Sequence, residues 1–120
     1  MKKFLCAVLF VLVLAGLSYA IEDAGTVSFR DFVAQTRNSV KLERLYLSKY
    51  VTVTGCKVWK IVADGNDYGL CTLSDVKFIF TAANSEQIAD LDRGDVVTIR
   101  GIVQHNQYGF VTLYNCEIIE

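Results

Sequence analysis

From residue 50 onward, apolar and polar side chains alternate with a period of two, and this pattern constrains the fold most strongly. Val76–Phe80 shows it over five residues, with Val76, Phe78 and Phe80 on one side and Lys77 between them. Successive side chains of a β-strand point to opposite faces of a sheet, so the alternation is typical of half-buried strands. We therefore expect a mainly β protein.

The alternating region predicts five strands. The first covers residues 50–63 and must bend at Gly55, the second covers residues 68–73, and the third is Val76–Phe80. A short helix capped by Asn84 follows, and the last two strands cover residues 95–104 and 110–119. This order of three strands, one helix and two strands is that of the five-stranded Greek-key OB-fold barrel. An open meander is the alternative, but it would leave a long apolar edge exposed.

The segment before the strands has a helical pattern. Ser28 is a candidate N-cap with Asp31 three residues later, and the apolar side chains of Phe29, Phe32 and Val33 share one helical face. A second short helix is expected over residues 39–47. We predict a helical lead-in over residues 21–49 and a barrel over residues 50–120.

Residues 1–20 have the pattern of a secretory signal peptide. Two lysines precede an apolar run over residues 4–17, and Ser18 and Ala20 supply the small residues of a cleavage site. The run is shorter than the roughly 18–20 apolar residues that span a bilayer. We expect cleavage after Ala20 and an exported chain, periplasmic or secreted, without a membrane span. Cys6 lies too early for lipidation and would leave with the signal.

The charge of the mature chain suggests which partners it has. Removal of Lys2 and Lys3 leaves 10 basic residues against 13 acidic ones, a net charge of −3. Nucleic-acid affinity comes mainly from Lys and Arg that neutralise phosphates. The charge therefore makes nucleic acid an unlikely partner.

The tripeptide Arg93-Gly94-Asp95 has two interpretations. It is a cell-adhesion motif in some extracellular proteins, and it is also ordinary turn chemistry before a strand. Gly94 can take a left-handed conformation, and the Asp95 carboxylate can accept hydrogen bonds from nearby backbone N–H groups. We expect a turn that leads into the fourth strand.

The polar residues show no catalytic or metal-binding arrangement. His105 is the only histidine, and its neighbours supply no serine and no acid for a triad. The loop with Asp64, Asn66 and Asp67 lacks the spacing of a calcium-binding hand and is better explained as a turn. We expect a protein that is not an enzyme and carries no metal or cofactor.

An OB-fold barrel binds its ligands on strands two and three and on the loops beside them. These parts of the chain supply six candidate ligand-binding residues: Trp59, Tyr68, Lys77, Ile79, His105 and Tyr108. Their rings can stack on sugars or bases or anchor a peptide. We expect a binding module of the cell envelope, with a glycan or a peptide as its ligand. The alternative is a structural or assembly partner that acts through protein–protein contact.

Three cysteines remain in the mature chain, and an oxidising compartment favours disulfides. Cys56, Cys71 and Cys116 allow three pairings. Cys56 with Cys116 is preferred, because the first and fifth strands are expected to meet when the barrel closes. Cys71 would then be a buried thiol or an intermolecular link.

The motifs "YVTVTGCKV", "LDRGDVVTIRGIV" and "VTLYNCEII" resemble those of the tRNA-anti-like family of secreted bacterial OB-fold proteins. The resemblance covers residues 39–119. It implies the OB-fold and no particular activity. Many members carry a lipidated cysteine at the mature start and a second cysteine where this chain has Val103. These departures imply a form without lipid and a different cysteine pairing.

Overall fold

The computed structural model describes residues 21–105 and 111–119. They form a β-rich fold, which confirms the mainly β prediction. The strands are β1 (Asp23–Ser28), β2 (Tyr50–Lys57), β3 (Lys60–Asp64), β4 (Asp67–Cys71), β5 (Val76–Phe80), β6 (Val96–His105) and β7 (Val111–Ile118). The helical segments are α1 (Phe29–Thr36), α2 (Ser39–Lys41) with a following π-helical turn (Leu42–Tyr46), and a 3-10 helix (Ala82–Gln87). The expected signal peptide lies outside the described residues.

All seven strands belong to one mixed sheet, in the order β1-β2-β6-β7-β5-β4-β3. β1 is parallel to β2 and β5 is parallel to β7, whereas the other neighbours are antiparallel. β1 and β3 are the edges, so the strand ladders of the described residues do not form a closed ring. The predicted count of five strands is too low, because one strand lies in the lead-in and the first predicted strand is divided in two.

The division of the first predicted strand is the main feature of the topology. The bend expected at Gly55 is confirmed, since this residue has a φ of 71° and the β2–β6 register shifts between Val53 and Cys56. Further on, the Val58 N–H donates to the Asp95 carbonyl at 2.9 Å, whereas the Trp59 N–H donates to the Cys71 carbonyl at 2.9 Å. The chain therefore changes partner here, from the β6 side to β4.

The lead-in is only partly helical. The predicted cap is confirmed, because the Ser28 hydroxyl accepts a hydrogen bond from the Asp31 N–H at 3.2 Å and α1 begins at Phe29. The second helical segment also forms where it was expected. Residues before the cap, however, form β1, which pairs in parallel with β2. The prediction of a wholly helical lead-in was wrong there, because "IEDAGTV" has no clear alternation and its pairing is with a distant strand.

The helix before β6 also differs from the prediction. It is a 3-10 helix that begins at Ala82, and Asn84 lies within it instead of capping it. The Asn84 side-chain amide donates to the Cys116 carbonyl at 3.2 Å. Ile88, just after the helix, is buried in the core as its apolar character predicts. The helix is thus tied to β7 at one residue and to the core at another.

The core lies against the face of the sheet that carries Val53, Phe78 and Ile99, all fully buried. The lead-in packs on the same core through Phe32, whose ring meets that of Tyr46 edge-on with centroids 5.1 Å apart. The Tyr46 hydroxyl donates to the Gln35 side chain. Burial, and secondarily the charge of Asp31, raises the pKa of Tyr46.

Candidate functional site

A cavity of about 460 Å³ opens where β2 ends and β3 begins. We call it the Trp59 pocket. Its wall is formed mainly by Phe29, Lys57, Trp59, Leu73, Ser74 and Arg93. Phe29 comes from α1, Leu73 and Ser74 come from the β4–β5 loop, and Arg93 comes from the turn before β6. Four separate parts of the chain thus meet around one tryptophan.

The Arg93 side chain and the Trp59 ring form one unit. The Arg93 guanidinium carbon lies 4.0 Å from the centroid of the indole ring. The Arg93 Nε also donates to the Trp59 carbonyl oxygen at 3.1 Å. The electron-rich face of the ring attracts the cation, and the hydrogen bond holds the guanidinium over the ring.

The backbone of the Arg-Gly-Asp tripeptide is held as a turn. Gly94 has a φ of 96°, and its N–H donates to the Val58 carbonyl at 2.8 Å. The Asp95 carboxylate accepts from the Asp92 N–H at 2.8 Å. These contacts confirm the predicted turn and the predicted roles of its glycine and aspartate. Its arginine, however, also forms a wall of the pocket, which sequence reasoning missed.

The electrostatics of the Trp59 pocket are locally basic. Lys57 and Arg93 both line it, and neither forms a salt bridge within the described residues. Leu73 adds an apolar wall and is 73% exposed. A half-buried indole, an exposed apolar side chain and two uncompensated cations suit a ligand that has both a flat ring and a negative charge.

Among the residues that the structure describes, the predicted ligand-binding side chains do not share one face of the sheet. Cross-strand pairs place Tyr68 beside Phe80, which belongs to the core-facing side of the sheet, and Lys77 beside Cys71 on the other side. Residues paired across strands share a face, and neighbouring residues in a strand do not. Tyr68 and Lys77 therefore lie on opposite faces of the sheet.

Tyr68 borders a second cavity of about 400 Å³ at the edge of the core. This cavity lies between β3, β4, the 3-10 helix and the segment after it, with Ile61 and Leu91 among its apolar residues. Tyr68 remains 40% exposed there. The two predicted rings Trp59 and Tyr68 thus line two different cavities.

The other predicted residues differ in how far a ligand could reach their side chains. Lys77 is half-buried, and its Nζ lies 3.3 Å from the Asp64 carboxylate. Ile79 is only 3% exposed, so its prediction as a ligand contact is corrected: the side chain is covered within the fold. His105 ends β6, while its side chain and Tyr108 lie outside the described residues.

All three described cysteines are free thiols. Cys56 and Cys116 are both buried, and β6 lies between their strands, so the expectation that the first and fifth strands meet was wrong. Burial raises the pKa of Cys56 to about 12, and burial also raises the pKa of Cys116, with a smaller contribution from Cys56 itself. Their pairing stays a prediction for the oxidised protein.

Cys71 differs from the other two, because it is only partly buried.

Within residues 21–105 and 111–119, no three His, Cys, Asp or Glu side chains lie close enough together to hold a metal ion. The helices in the same ranges are all too short or too polar to cross a membrane.

The chain is similar to known proteins at the level of the fold. No protein-family model matches the chain, and no curated protein matches it. The fold is similar to that in the crystal structure of a proposed nucleic acid-binding lipoprotein from Klebsiella pneumoniae subsp. pneumoniae MGH 78578, with a TM-score of 0.60 and 25% sequence identity. The match covers 88% of this chain and 97% of that one.

This similarity contradicts the expectation that nucleic acid is an unlikely partner. That expectation came from the net charge of −3, which averages over the whole surface. Binding depends on the local arrangement of cations, and Lys57 and Arg93 lie together at one cavity. The similarity does not support the expected preference for a glycan or a peptide over nucleic acid.

Proposed function

We propose that this protein is an exported, non-enzymatic binding module with an OB-fold barrel, and that it binds single-stranded nucleic acid in the Trp59 pocket. The observation that carries the proposal is the contact between Arg93 and the Trp59 ring beside a second cation, Lys57. Proteins that bind single strands combine rings on which bases stack with a basic groove for the backbone.

The strand pairing supports the OB-fold. Joined end to end, β2 and β3 act as one coiled strand whose first half pairs with β6 and whose second half pairs with β4. β4, β5, β6 and β7 then correspond to strands two to five, with a parallel pair between the third and the fifth. This correspondence supports the proposed five-stranded Greek-key arrangement, and the resemblance to tRNA-anti-like proteins agrees with it.

Export is supported by the signal-like residues 1–20 and by the similarity to a lipoprotein. An exported binding module would meet nucleic acid outside the cytoplasm. The small number of uncompensated cations at the pocket predicts an affinity that is modest and falls with added salt, because each phosphate contact releases counterions.

The chain contains a single tryptophan, so the tryptophan emission reports on the Trp59 pocket. The first test is a titration of the purified protein with a deoxythymidine oligomer of about 16 nucleotides, the upper site size of one OB-fold. We expect quenching of the Trp59 emission that reaches saturation and weakens with salt. A duplex of the same length should quench less, because its bases cannot stack on the indole.

Two ring variants form a matched pair. Trp59→Ala should weaken binding of a labelled oligomer about ten- to a hundredfold, the loss of one stacking ring, as measured by fluorescence anisotropy. Tyr68→Ala removes a partly exposed ring from the other cavity and should leave the affinity unchanged. An absence of saturable binding by the wild-type protein, or an equal loss in both variants, would show that the proposal is wrong.

A second candidate function is that of a structural or assembly partner through protein–protein contact. The partly exposed Tyr68 beside Ile61 and Leu91 favours it, since aromatic side chains over apolar cavities often anchor protein interfaces. This alternative predicts the reverse result. Tyr68→Ala would abolish recovery of a partner from envelope extract, and Trp59→Ala would not.

A further inference from the structure

The Trp59 pocket continues onto helix α1. A neighbouring cavity of about 400 Å³ lies between α1 and the β4–β5 loop, and it shares Phe29 and Ser74 with the Trp59 pocket. Arg30 and Arg37 line this neighbouring cavity. Two concave surfaces that share wall residues form one groove, which runs from the indole ring to the end of α1.

The cations along this groove are free of acidic partners. Within the described residues, Arg30 and Arg37 form no salt bridge, as Lys57 and Arg93 form none. By contrast, three other cations are paired with carboxylates: Lys49 with Glu22, Lys77 with Asp64, and Arg100 with Asp23 and Glu117. The groove therefore collects four unpaired positive charges on a chain whose net charge is negative.

The positions of the two arginines suit an extended chain of phosphates. They are seven residues apart, which corresponds to about 10 Å along a helix axis, so they can contact different phosphates. Both are exposed, whereas Phe32 and Val33 of the same helix are buried and hold it on the core. Arg37 also lines the next small cavity together with Asp75, whose carboxylate would oppose a phosphate there, and this marks an end of the groove.

We infer, on the basis of the function proposed above, that α1 is the phosphate-binding part of the site. Bases stack at Trp59, and the sugar–phosphate backbone of the same strand runs along α1, where Arg30 and Arg37 contact phosphates. Binding is then independent of base sequence and depends on the length of the strand. A very short oligomer fills only the Trp59 pocket, whereas a longer one also reaches the helix.

The experiment compares two double variants with equal changes in charge. Arg30→Gln/Arg37→Gln removes the two groove cations. Lys41→Gln/Arg44→Gln removes two exposed cations from the second helical segment of the same lead-in, which line neither cavity. Deoxythymidine oligomers of two to sixteen nucleotides, about the span of OB-fold site sizes, are titrated against each protein with Trp59 quenching as the readout. Circular dichroism melting checks that both variants are folded.

We expect wild-type affinity to rise with length and then to level off. The groove variant should bind the dinucleotide as the wild-type protein does but lose about tenfold or more for the longest oligomer. Its plot of log affinity against log salt should be shallower by about 1.4, because each lost single-strand phosphate contact contributes about 0.7. The control variant should keep at least most of the length dependence.

Three results would overturn the inference. Equal losses in the two double variants would show a general effect of charge. An unchanged affinity of the groove variant for long oligomers would show that α1 does not bind phosphates. In both cases the proposed binding at Trp59 would still stand. If no oligomer quenches the wild-type protein, the proposed function and this inference fail together.

Discussion

The Arg93 guanidinium lies over the Trp59 ring at 4.0 Å and donates to the backbone carbonyl of the same residue. The two residues are 34 positions apart in sequence. Their contact joins the turn before β6 to the junction of β2 and β3. A change in the arginine should therefore alter both the stability of the junction and the environment of the indole.

Arg93→Ala is expected to lower the melting temperature by several degrees and to shift the Trp59 emission. The variant loses a cation–π contact of about 0.5–1 kcal/mol and a hydrogen bond of about 1 kcal/mol, reduced by exposure to solvent. A loss of 1 kcal/mol corresponds to roughly 4–8 °C in a domain of this size. Arg93→Lys keeps the charge and should recover part of the ligand affinity. Unchanged melting and emission in Arg93→Ala would mean that the contact does not form in solution.

Gly101→Ala is expected to destabilise the protein more than Gly69→Ala. A Cβ at Gly101 would lie 2.5 Å from the Cys116 Sγ and 3.2 Å from the Tyr114 carbonyl, both held in the fold. A Cβ at Gly69 would clash with the far end of the Lys77 side chain, which can move, and would lie at an ordinary contact distance of 3.5 Å from the Val62 Cγ2. Overpacking of a core costs about 1–3 kcal/mol, whereas a displaced surface ion pair costs at most about 1 kcal/mol. Urea denaturation of both variants measures the difference, and a reversed order would contradict the close packing at Gly101.

The buried thiols predict a specific pH dependence for the reduced protein. Burial raises the pKa of Cys56 from 9.0 to about 12 and also raises that of Cys116, so both thiols stay protonated in the folded state. The unfolded chain ionises them near their ordinary pKa. The stability of the reduced protein should therefore fall as the pH rises from about 9 towards 12. Cys56→Ala/Cys116→Ala should flatten this fall, and a slope equal to that of the wild-type protein would contradict it.

In an oxidising compartment, Cys56 and Cys116 are predicted to form a disulfide that leaves Cys71 free. The bridged protein has no core thiols, so it should lack the alkaline loss of stability that the reduced protein shows. Peptide mapping without reductant identifies the pairing. Recovery of all three cysteines as free thiols from the exported protein would remove this prediction.

Cleavage after Ala20 is predicted for the exported protein, which should carry no lipid. The signal residues lie outside the described part of the chain, so this prediction rests on the sequence. Intact-mass analysis of the protein from its native source should give a chain that begins at Ile21. A retained Met1 or an added acyl mass would contradict the prediction.

Several local features follow from the sequence alone, because they depend on neighbouring residues. The alternation over Val76–Phe80 predicts a strand whose buried face carries Val76, Phe78 and Phe80, and the structure has it with the same bounds. Ser28 predicts the start of α1 through its short-range hydrogen bond with the Asp31 N–H. Gly94 predicts a turn, since glycine adopts a positive φ, here 96°, at little steric cost.

Only the tertiary structure decides which of these features meet. β1 forms because it pairs with β2, and the sequence of β1 does not predict this pairing. The separation of Tyr68 from Lys77 depends on the register of β4 against β5, which strand patterns do not specify by themselves. The Trp59 pocket needs α1, the β4–β5 loop and the turn at Arg93 to converge, and such convergence is set by packing between segments far apart in the chain.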